Sequence, residues 1–297
     1  MRIKPVASLL CVWCFSMLFV LTGCDESVNP VLGSEEAFTF YGYFNPRADT
    51  QSVRVYSIDG ILQPEGTAKL DAIVTSTNQV TGEIQTWRDS TIYFRDGSVG
   101  HVFYALFRPE HNSLYRFNAT NSKGKSTFVN VQIPADGAAQ VTNITSARSN
   151  VIVEMEWSGV PKVMQTSATY QVRVPFPDGT DTTTVRIPIL SGEAQTLGGG
   201  RWKVTIIPSR DIGTIYSVLN LQPSIHPIFL DDVTVRAFVV SEDWESPTGT
   251  FDPELLVQPG IFSNVESGFG FVGGAYFDSF VLELTDSQKV NAGFRSQ

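Results

Sequence analysis

Cys24 is the residue whose neighbours define a chemistry most clearly. It follows the Leu-Thr-Gly segment Leu21–Gly23, and the stretch Pro5–Leu21, which comes after a positively charged head, is almost free of polar residues. The apolar stretch is at the lower limit for a membrane-spanning helix, but a Leu-small-small-Cys sequence at its end is typical of a bacterial lipoprotein signal. In such signals the thiol takes a diacylglycerol thioether, and the chain is cut before the cysteine. We therefore predict a signal peptide over residues 1–23 and a membrane anchor of acyl chains on Cys24, such as palmitate, each gaining about 0.8 kcal/mol per buried methylene.

The positions of the cysteines and the net charge argue against two further classes of function, thiol chemistry and nucleic-acid binding. Cys11 and Cys14, the other two of the three cysteines, lie inside the signal. The mature chain is then expected to contain no thiol for a disulfide, a thiolate metal site or a nucleophile. The net charge of −9, from 21 basic and 30 acidic residues, becomes more negative when Arg2 and Lys4 leave with the signal. An acidic chain without basic clusters argues against nucleic acid as a partner.

The segment Gly268–Gly273 has the spacing G-x-G-x-x-G, which in dinucleotide-binding proteins lies between a strand and a helix. There the backbone N–H groups and the helix dipole meet a pyrophosphate. In this chain the residues that follow, Ala275 to Leu284, have the pattern of a strand. We therefore predict no cofactor, and we expect these glycines to pack against aromatic neighbours in a β-turn.

Tryptophan side chains are the candidates for ligand binding, because an exposed indole ring stacks on sugars. Trp157 and Trp202 lie on the apolar phase of their predicted strands and are expected in the core. Trp87 and Trp244 have polar, turn-like surroundings. We therefore select Trp87 and Trp244 as candidate ligand-binding residues.

Metal and catalytic chemistry have little support in the sequence. His101, His111 and His226 are scattered, so no metal site is predicted, and His101 is expected to be a half-buried strand residue. Acids group at Asp231–Asp232 and Glu242–Glu245, and the choice between calcium sites and solvated loop ends stays open. No G-x-S-x-G nucleophile elbow occurs, and glycosidase carboxylates cannot be selected from sequence. We predict no catalytic residue and no enzyme activity.

The elements that position these residues are predicted to be strands. Tyr115, Phe117 and Ala119 alternate with polar residues and are followed by a turn at Asn121–Gly124, which is the pattern of a hairpin. Similar alternation recurs along the chain, and helical spacing occurs only near 211–221. The predicted fold class is all-β, with at most one short helix.

Strand candidates fill residues 36–135 at the density of an immunoglobulin-like sandwich, about seven strands in 100 residues. The segment Leu114–Asn121 followed by Gly124 resembles the F–G hairpin of immunoglobulin and fibronectin-type sandwiches, with Tyr115 at their corner-tyrosine position. The strand candidates are 37–44, 52–58, 67–76, 83–94, 99–107, 114–120 and 124–133. The predicted domains are the signal peptide (1–23), the lipidated cysteine with a polar tether (24–35), the sandwich (36–135) and a second β-rich, sandwich-like domain (136–297).

The segment Gln258–Phe271 resembles the C-terminal box of an uncharacterised family of bacterial envelope lipoproteins, classed as a domain of unknown function. That box has the form P-x-x-(aromatic)-S-N-(I/V)-x-x-G-x-G-(I/V)-F, and this chain reverses the last two positions. The lipobox, the opening strand Phe38–Gly42 and the strand Asp232–Glu242 also fit. The resemblance implies an accessory envelope role, since members are often encoded beside TonB-dependent outer-membrane receptors. The residues of the box that form either a partner-docking surface or a structural element are Ser263, Asn264, Gly268, Phe269, Gly270 and Phe271.

These observations lead to one expected function and two alternatives. We expect a lipid-anchored envelope protein with a non-enzymatic binding or accessory role, partnering an outer-membrane receptor protein. A glycan-binding surface module is the first alternative, and an exported hydrolase is the second. Asp25 and Glu26 follow the lipidated cysteine directly, and in envelopes where the resembling family occurs such acids accompany surface display. We therefore expect an outer-membrane lipoprotein that faces outward, with the periplasmic leaflet as the alternative.

Overall fold

The first part of the chain forms two facing β-sheets. The computed structural model describes residues 36–58, 66–95, 97–175, 182–192, 194–245 and 262–295. The predicted signal peptide, Cys24 and the tether lie outside these residues. The strands of this first part are β1 (Phe38–Phe44), β2 (Gln51–Ser57), β3 (Ile73–Asn78), β4 (Ile84–Thr86), β5 (Arg88–Tyr93), β6 (Val99–Ala105), β7 (Leu114–Thr120) and β8 (Ser126–Gln132).

The order of these strands is that of an immunoglobulin-like sandwich. One sheet has the order β1-β2-β6-β5, and the other has the order β4-β3-β7-β8. In immunoglobulin lettering these orders are A-B-E-D and C′-C-F-G. Inward side chains from both sheets form a first hydrophobic core, in which Phe40, Phe44, Val55, Phe117 and Val129 are fully buried. The predicted all-β fold class is confirmed.

The β7–β8 hairpin carries the alternation that predicted it. Tyr115, Phe117 and Ala119 are buried. The Tyr115 hydroxyl accepts hydrogen bonds from the Glu110 N–H (3.2 Å) and the Asn78 side-chain amide (3.3 Å). A hydrogen bond between a buried tyrosine and the backbone a few residues upstream is the contact made by a corner tyrosine.

We expect Tyr115→Phe to lower the free energy of unfolding by about 1 kcal/mol, because it removes the acceptor of these two hydrogen bonds. Equilibrium unfolding in urea measures the change. Tyr93→Phe is the matched control, since the Tyr93 side chain on edge strand β5 is 71% exposed and its substitution should leave the midpoint in place. An unchanged midpoint for Tyr115→Phe as well would remove the corner assignment.

The second part of the described chain adds eight strands and two helices. The elements are β9 (Ala138–Ala147), β10 (Asn150–Ser158), β11 (Lys162–Pro175), β12 (Thr182–Gly192), β13 (Gln195–Gly198), β14 (Arg201–Ile206), α1 (Pro208–Val218), β15 (Phe229–Val240), β16 (Gly268–Leu282) and α2 (Asp286–Asn291). None of the described helices is long and apolar enough to span a membrane.

A second hydrophobic core lies among these elements. The sheet β13-β14-β10-β9 contributes Trp157, and strands β11 and β15 contribute Tyr170 and Val235. Ile215 of helix α1 packs into the same core, and the Tyr170 hydroxyl donates to the buried Asp211 carboxylate (2.7 Å) at the start of that helix. The predicted second β-rich region is therefore present.

The two helices differ from the prediction in position and number. Helix α1 begins at Pro208 rather than at 211, because proline is favoured in the first helical turn. Helix α2 makes the expectation of at most one helix wrong. The Thr285 hydroxyl accepts the Gln288 N–H, and the Gln288 side chain accepts the Thr285 N–H, which is a capping box. The spacing Thr-x-x-Gln was the available sequence signal.

Strand β16 connects the two parts. Its first half, Gly268–Gly274, pairs in parallel with Phe38–Phe44 of β1. Its second half, Ala275–Leu282, pairs antiparallel with Val233–Val240 of β15. One large sheet therefore runs in the order β12-β11-β15-β16-β1-β2-β6-β5.

The C-terminal box falls within the predicted second domain (136–297), but this pairing shows that it also packs on the first part of the described chain. Val265 and Val272 belong to the first core. Glu266 exchanges two backbone hydrogen bonds with Phe128 of β8 (2.8 and 3.1 Å). The box thus covers the β1 and β8 edges of the sandwich, whose backbone groups would otherwise be open to another chain. The predicted boundary at 135/136 stays a prediction; it falls between the two cores, while residues Glu35–Gln297 form one compact unit.

Candidate binding surface

Asn264 holds the box in place. Its amide nitrogen donates to the Val272 carbonyl (2.9 Å) and its Oδ1 accepts the Val272 N–H (3.1 Å), so the side chain replaces a strand partner. The Asn264 N–H donates to the Gly270 carbonyl (3.2 Å). The neighbouring Ser263 hydroxyl accepts the Val265 N–H (3.2 Å). The polar groups of Ser263 and Asn264 are therefore used within the box.

Gly268 and Gly270 let β16 approach β1 closely. A Cβ at Gly268 would overlap the Phe38 carbonyl and the Thr127 side chain. A Cβ at Gly270 would overlap the Phe40 carbonyl, and φ at Gly270 is +103°. The glycines pack tightly as expected, but they lie on a strand and not in the expected β-turn. The G-x-G-x-x-G string therefore lacks the strand-to-helix position that a dinucleotide site requires.

Trp87 is buried, so its selection as an exposed ligand-binding residue is wrong. It is 4% exposed and packs against Phe44, Phe107 and Phe117, and its indole N–H donates to the Ser76 hydroxyl (2.9 Å). Trp87 lies between β4 and β5, where the chain passes from one sheet of the sandwich to the other. The polar neighbours that suggested a turn belong to two short edge strands.

Trp244 is 7% exposed, so it is not an open platform either. Its ring covers Gly273, where an added Cβ would lie 2.6 Å from the Trp244 Cε3 atom. Trp244 meets Phe271 and Phe238 edge-on, with ring centroids 5.0 and 5.5 Å away. Phe271 is 2% exposed and cannot be an exposed docking anchor, whereas Phe269 is partly exposed.

Trp244 is the centre of an aromatic patch on the face of the large sheet opposite the two cores. Ring contacts connect its members, with centroid distances of 6.4 Å for Tyr43–Trp244, 4.8 Å for Phe238–Phe277 and 6.0 Å for Phe262–Phe271. Phe277 is 52% exposed, and Tyr43 and Phe262 are each 39% exposed. The aromatic patch consists of Tyr43, Phe238, Trp244, Phe262, Phe271 and Phe277.

Sequence reasoning selected Trp244 and Phe271 but missed the other four members of the patch, which are Tyr43, Phe238, Phe262 and Phe277. The sequence did contain a signal that Tyr43 faces away from the core, because Tyr43 lies on the opposite phase of β1 from the core residue Phe40. The proximity of these residues depends on strand register. Phe238 faces Phe277 across β15 and β16, and Tyr43 faces Gly273 across β1 and β16.

A cavity of about 390 Å³ adjoins the aromatic patch and shares Tyr43 with it. Tyr41, Arg54 and Val102 also line it, together with polar residues of the loop between β1 and β2. This volume lies in the range of small-molecule sites.

A cluster of titratable residues lies where the two parts of the chain meet. From the β1–β2 loop, the Arg47 guanidinium donates to the carboxylates of Asp278 (2.6 Å) and Asp136 (2.8 Å). The other Asp278 oxygen accepts the Trp157 indole N–H (2.9 Å). Both oxygens of the largely buried Asp278 carboxylate therefore accept hydrogen bonds. This arrangement favours a structural role for Asp278 over a role in proton transfer.

Tyr276 also belongs to this cluster. Its ring lies under the Arg47 guanidinium, 4.6 Å from ring centroid to Cζ, and its hydroxyl donates to the Ala135 carbonyl (2.9 Å). Burial raises the pKa of Tyr276 to about 12, so the phenol keeps its proton at neutral pH. This junction cluster consists of Arg47, Asp136, Trp157, Tyr276 and Asp278.

Two of the remaining polar candidates, His101 and Asp231, contact partners of their own. His101, 2% exposed and so more buried than expected, contacts the Asp89 carboxylate (2.8 Å) and the Gly66 carbonyl (3.1 Å). Asp231 forms an ion pair with Arg173 (2.7 Å). Among the described residues, no group of three or more His, Cys, Asp or Glu side chains is placed so that it could hold a metal ion.

Comparison with known proteins gives no family. No protein-family model matches the chain, and no curated protein matches it. Among solved structures the chain is similar to a pullulanase from Anoxybacillus sp. LM18-11 (TM-score 0.22, 10% identity) and to that enzyme complexed with maltotriose (TM-score 0.21, 10% identity). The alignments cover 69% and 70% of this chain but only 24% of each pullulanase chain. A likeness at this level carries no argument about function.

Proposed function

We propose that this protein is a lipid-anchored component of the bacterial cell envelope with a non-enzymatic binding role, and that it binds its partner through the aromatic patch. The observation that carries the proposal is the grouped exposure of Tyr43, Phe262 and Phe277 on one face of a sheet. Single exposed apolar side chains are ordinary, but contiguous ones mark interaction sites. Aromatic residues are enriched in the centres of protein interfaces. Beneath the exposed rings, the buried Trp244 and Phe271 fix their positions.

The partner that we propose is an outer-membrane receptor protein. The lipobox at Cys24, the acids that follow it and the resemblance of the C-terminal box to envelope lipoproteins all support this placement. An aromatic patch on a sheet of a protein that is tethered to the membrane suits a lasting contact with a membrane protein. Large apolar side chains can then contribute most of the binding energy.

Photo-crosslinking in native membranes tests this partner. We expect a photoreactive residue at Phe277 to trap one discrete outer-membrane protein, identified by mass spectrometry. The matched control position is Ile73, which is 70% exposed on β3 of the other sheet and should trap no such product. Phe277→Ser should reduce co-purification of the partner at least about tenfold relative to Ile73→Ser, at unchanged melting temperature. Equal products from both positions would contradict the assignment of the patch.

We expect Cys24→Ser to abolish incorporation of labelled palmitate and to leave an unprocessed precursor, since the thioether must form before cleavage. A Cys24→Ser protein that was still lipid-labelled and cut after Gly23 would refute the anchor.

Protease added to intact cells should digest the wild-type protein, because we place it on the outer face of the outer membrane. The matched control is the same digestion after lysis. Protection of the wild type in intact cells would place it in the periplasm.

A further inference from the structure

The floor of the cavity beside Tyr43 is formed by side chains on the outer face of the sandwich. Tyr41 faces Arg54 across β1 and β2, and Arg54 faces Val102 across β2 and β6. Residues opposite each other in paired strands point to the same side of a sheet. Their neighbours Phe40 and Val53 are buried in the first core, so Tyr41, Arg54 and Val102 point away from it.

One wall of the cavity is the loop between β1 and β2, and Gln51 holds this loop in one conformation. Gln51 is buried, with 1% of the residue exposed. Its Oε1 accepts the Asn45 N–H (2.7 Å), and its Nε2 donates to the carbonyls of Asn45 (3.0 Å), Ala48 (2.8 Å) and Phe107 (3.2 Å). A wall fixed in this way loses little entropy when a ligand binds.

The Tyr43 ring also lines the cavity. Tyr43 contacts the aromatic patch through Trp244 and Phe238, yet it remains 39% exposed and lines the cavity. Ser52 faces Tyr43 across β1 and β2, and Thr50 lies on the adjacent loop. An aromatic face beside hydroxyl and amide groups is the combination that a sugar requires, since its ring carbons are apolar and its hydroxyls both donate and accept hydrogen bonds.

Charge and topology disfavour other ligands. No carboxylate lines the described cavity, and Asp49 on the same loop bonds with the Arg108 guanidinium (3.0 Å), so a cation lacks carboxylate ligands there. A peptide cannot add as a strand beside β1, because β1 already lies between β2 and β16. We propose that this cavity is a saccharide-binding site, in which a pyranose ring stacks on Tyr43 and its hydroxyl groups bond to the loop between β1 and β2. The cavity shares Tyr43 with the aromatic patch, but its proposed ligand is a different one from the protein partner of that patch.

Titration of the lipidated chain in a sugar-free detergent with soluble oligosaccharides tests the proposal. One arm uses neutral maltohexaose and cellohexaose, and the other uses a galacturonate hexamer, which distinguishes neutral from uronic sugars as the source of the pyranose ring. Calorimetry should show saturable binding in at least one arm. Tyr43→Ala should weaken it at least about tenfold, whereas Tyr43→Phe, which keeps the ring, should preserve it.

Two further variants keep the test decisive if Tyr43→Ala folds poorly. Ser52→Trp replaces an exposed residue beside Tyr43 and fills the cavity, so binding should be lost at an unchanged melting temperature. Tyr93→Ala removes a tyrosine that is 71% exposed on β5, outside the cavity, and should bind as the wild type does. Absence of binding in both arms, or binding that survives Ser52→Trp, would overturn the proposal. Crosslinking at Phe277 is read separately, so either proposal can fail alone.

Discussion

The Gly270→Ala variant is expected to lose about 2–5 kcal/mol of unfolding free energy, through backbone strain and overpacking together. Its φ of +103° is a conformation that L side chains rarely adopt, and the added methyl would overlap the Phe40 carbonyl on the neighbouring strand. Relief requires β16 to move away from β1. That movement opens the first core at Val272 and breaks the bonds that Asn264 makes to the Val272 backbone.

Urea unfolding of Gly270→Ala measures this loss, and Gly213→Ala is its matched control. Gly213 lies in helix α1, and nothing lies within 4 Å of the Cβ that alanine would add there. Because alanine favours the helix more than glycine does, this control should gain up to about 1 kcal/mol. Equal midpoints for the two variants would show that β16 does not pack on β1 as described. Loss of partner binding in Phe269→Ala at unchanged stability would instead make the box a docking surface.

The second large effect is expected at Asp278, where alanine should cost about 3 kcal/mol. The substitution removes the acceptor of the Trp157 indole N–H, and Trp157 is fully buried in the second core. It also removes one of the two carboxylates that the Arg47 guanidinium contacts. A buried donor that loses its only acceptor keeps the full desolvation penalty, so the loss should exceed that of a surface ion pair.

Asp136→Ala tests this reasoning with the same arginine. The Asp136 side chain is 60% exposed, whereas that of Asp278 is 10% exposed, and both accept from Arg47. An exposed ion pair contributes about 0–1 kcal/mol. Thermal and urea unfolding should therefore separate the two variants clearly, and similar losses would show that burial at the junction cluster does not determine the effect.

Local patterns were sufficient where neighbouring residues decide the structure. The β7–β8 hairpin follows from the alternation at Tyr115, Phe117 and Ala119 and from the turn that follows them, and its strand β7 has the predicted bounds of 114–120. Helix α1 follows from the spacing of Ile212 and Ile215, both buried. In each case the partner is close in sequence, so the periodicity carries most of the information.

Local patterns failed where contacts join distant parts of the chain. Polar neighbours suggested that Trp87 and Trp244 were exposed, but Trp87 lies where the chain crosses between sheets, and Trp244 covers a glycine of a strand that follows later in the sequence. The box was expected to belong to the second domain, yet its first half pairs with β1. Which segments pair depends on long-range packing, which no short window of sequence contains.

The sequence by itself determined the all-β class, the β7–β8 hairpin and the buried phase of its strands, because alternation at period two is a local property of the chain. It also predicts the lipid anchor at Cys24 through a short motif that an enzyme reads in extended form. Only the tertiary structure decided that Tyr43, Phe238, Trp244 and Phe277 form one patch and that β16 joins two cores. Those arrangements depend on the register between strands that are far apart in the chain, and register is set when the segments pack together.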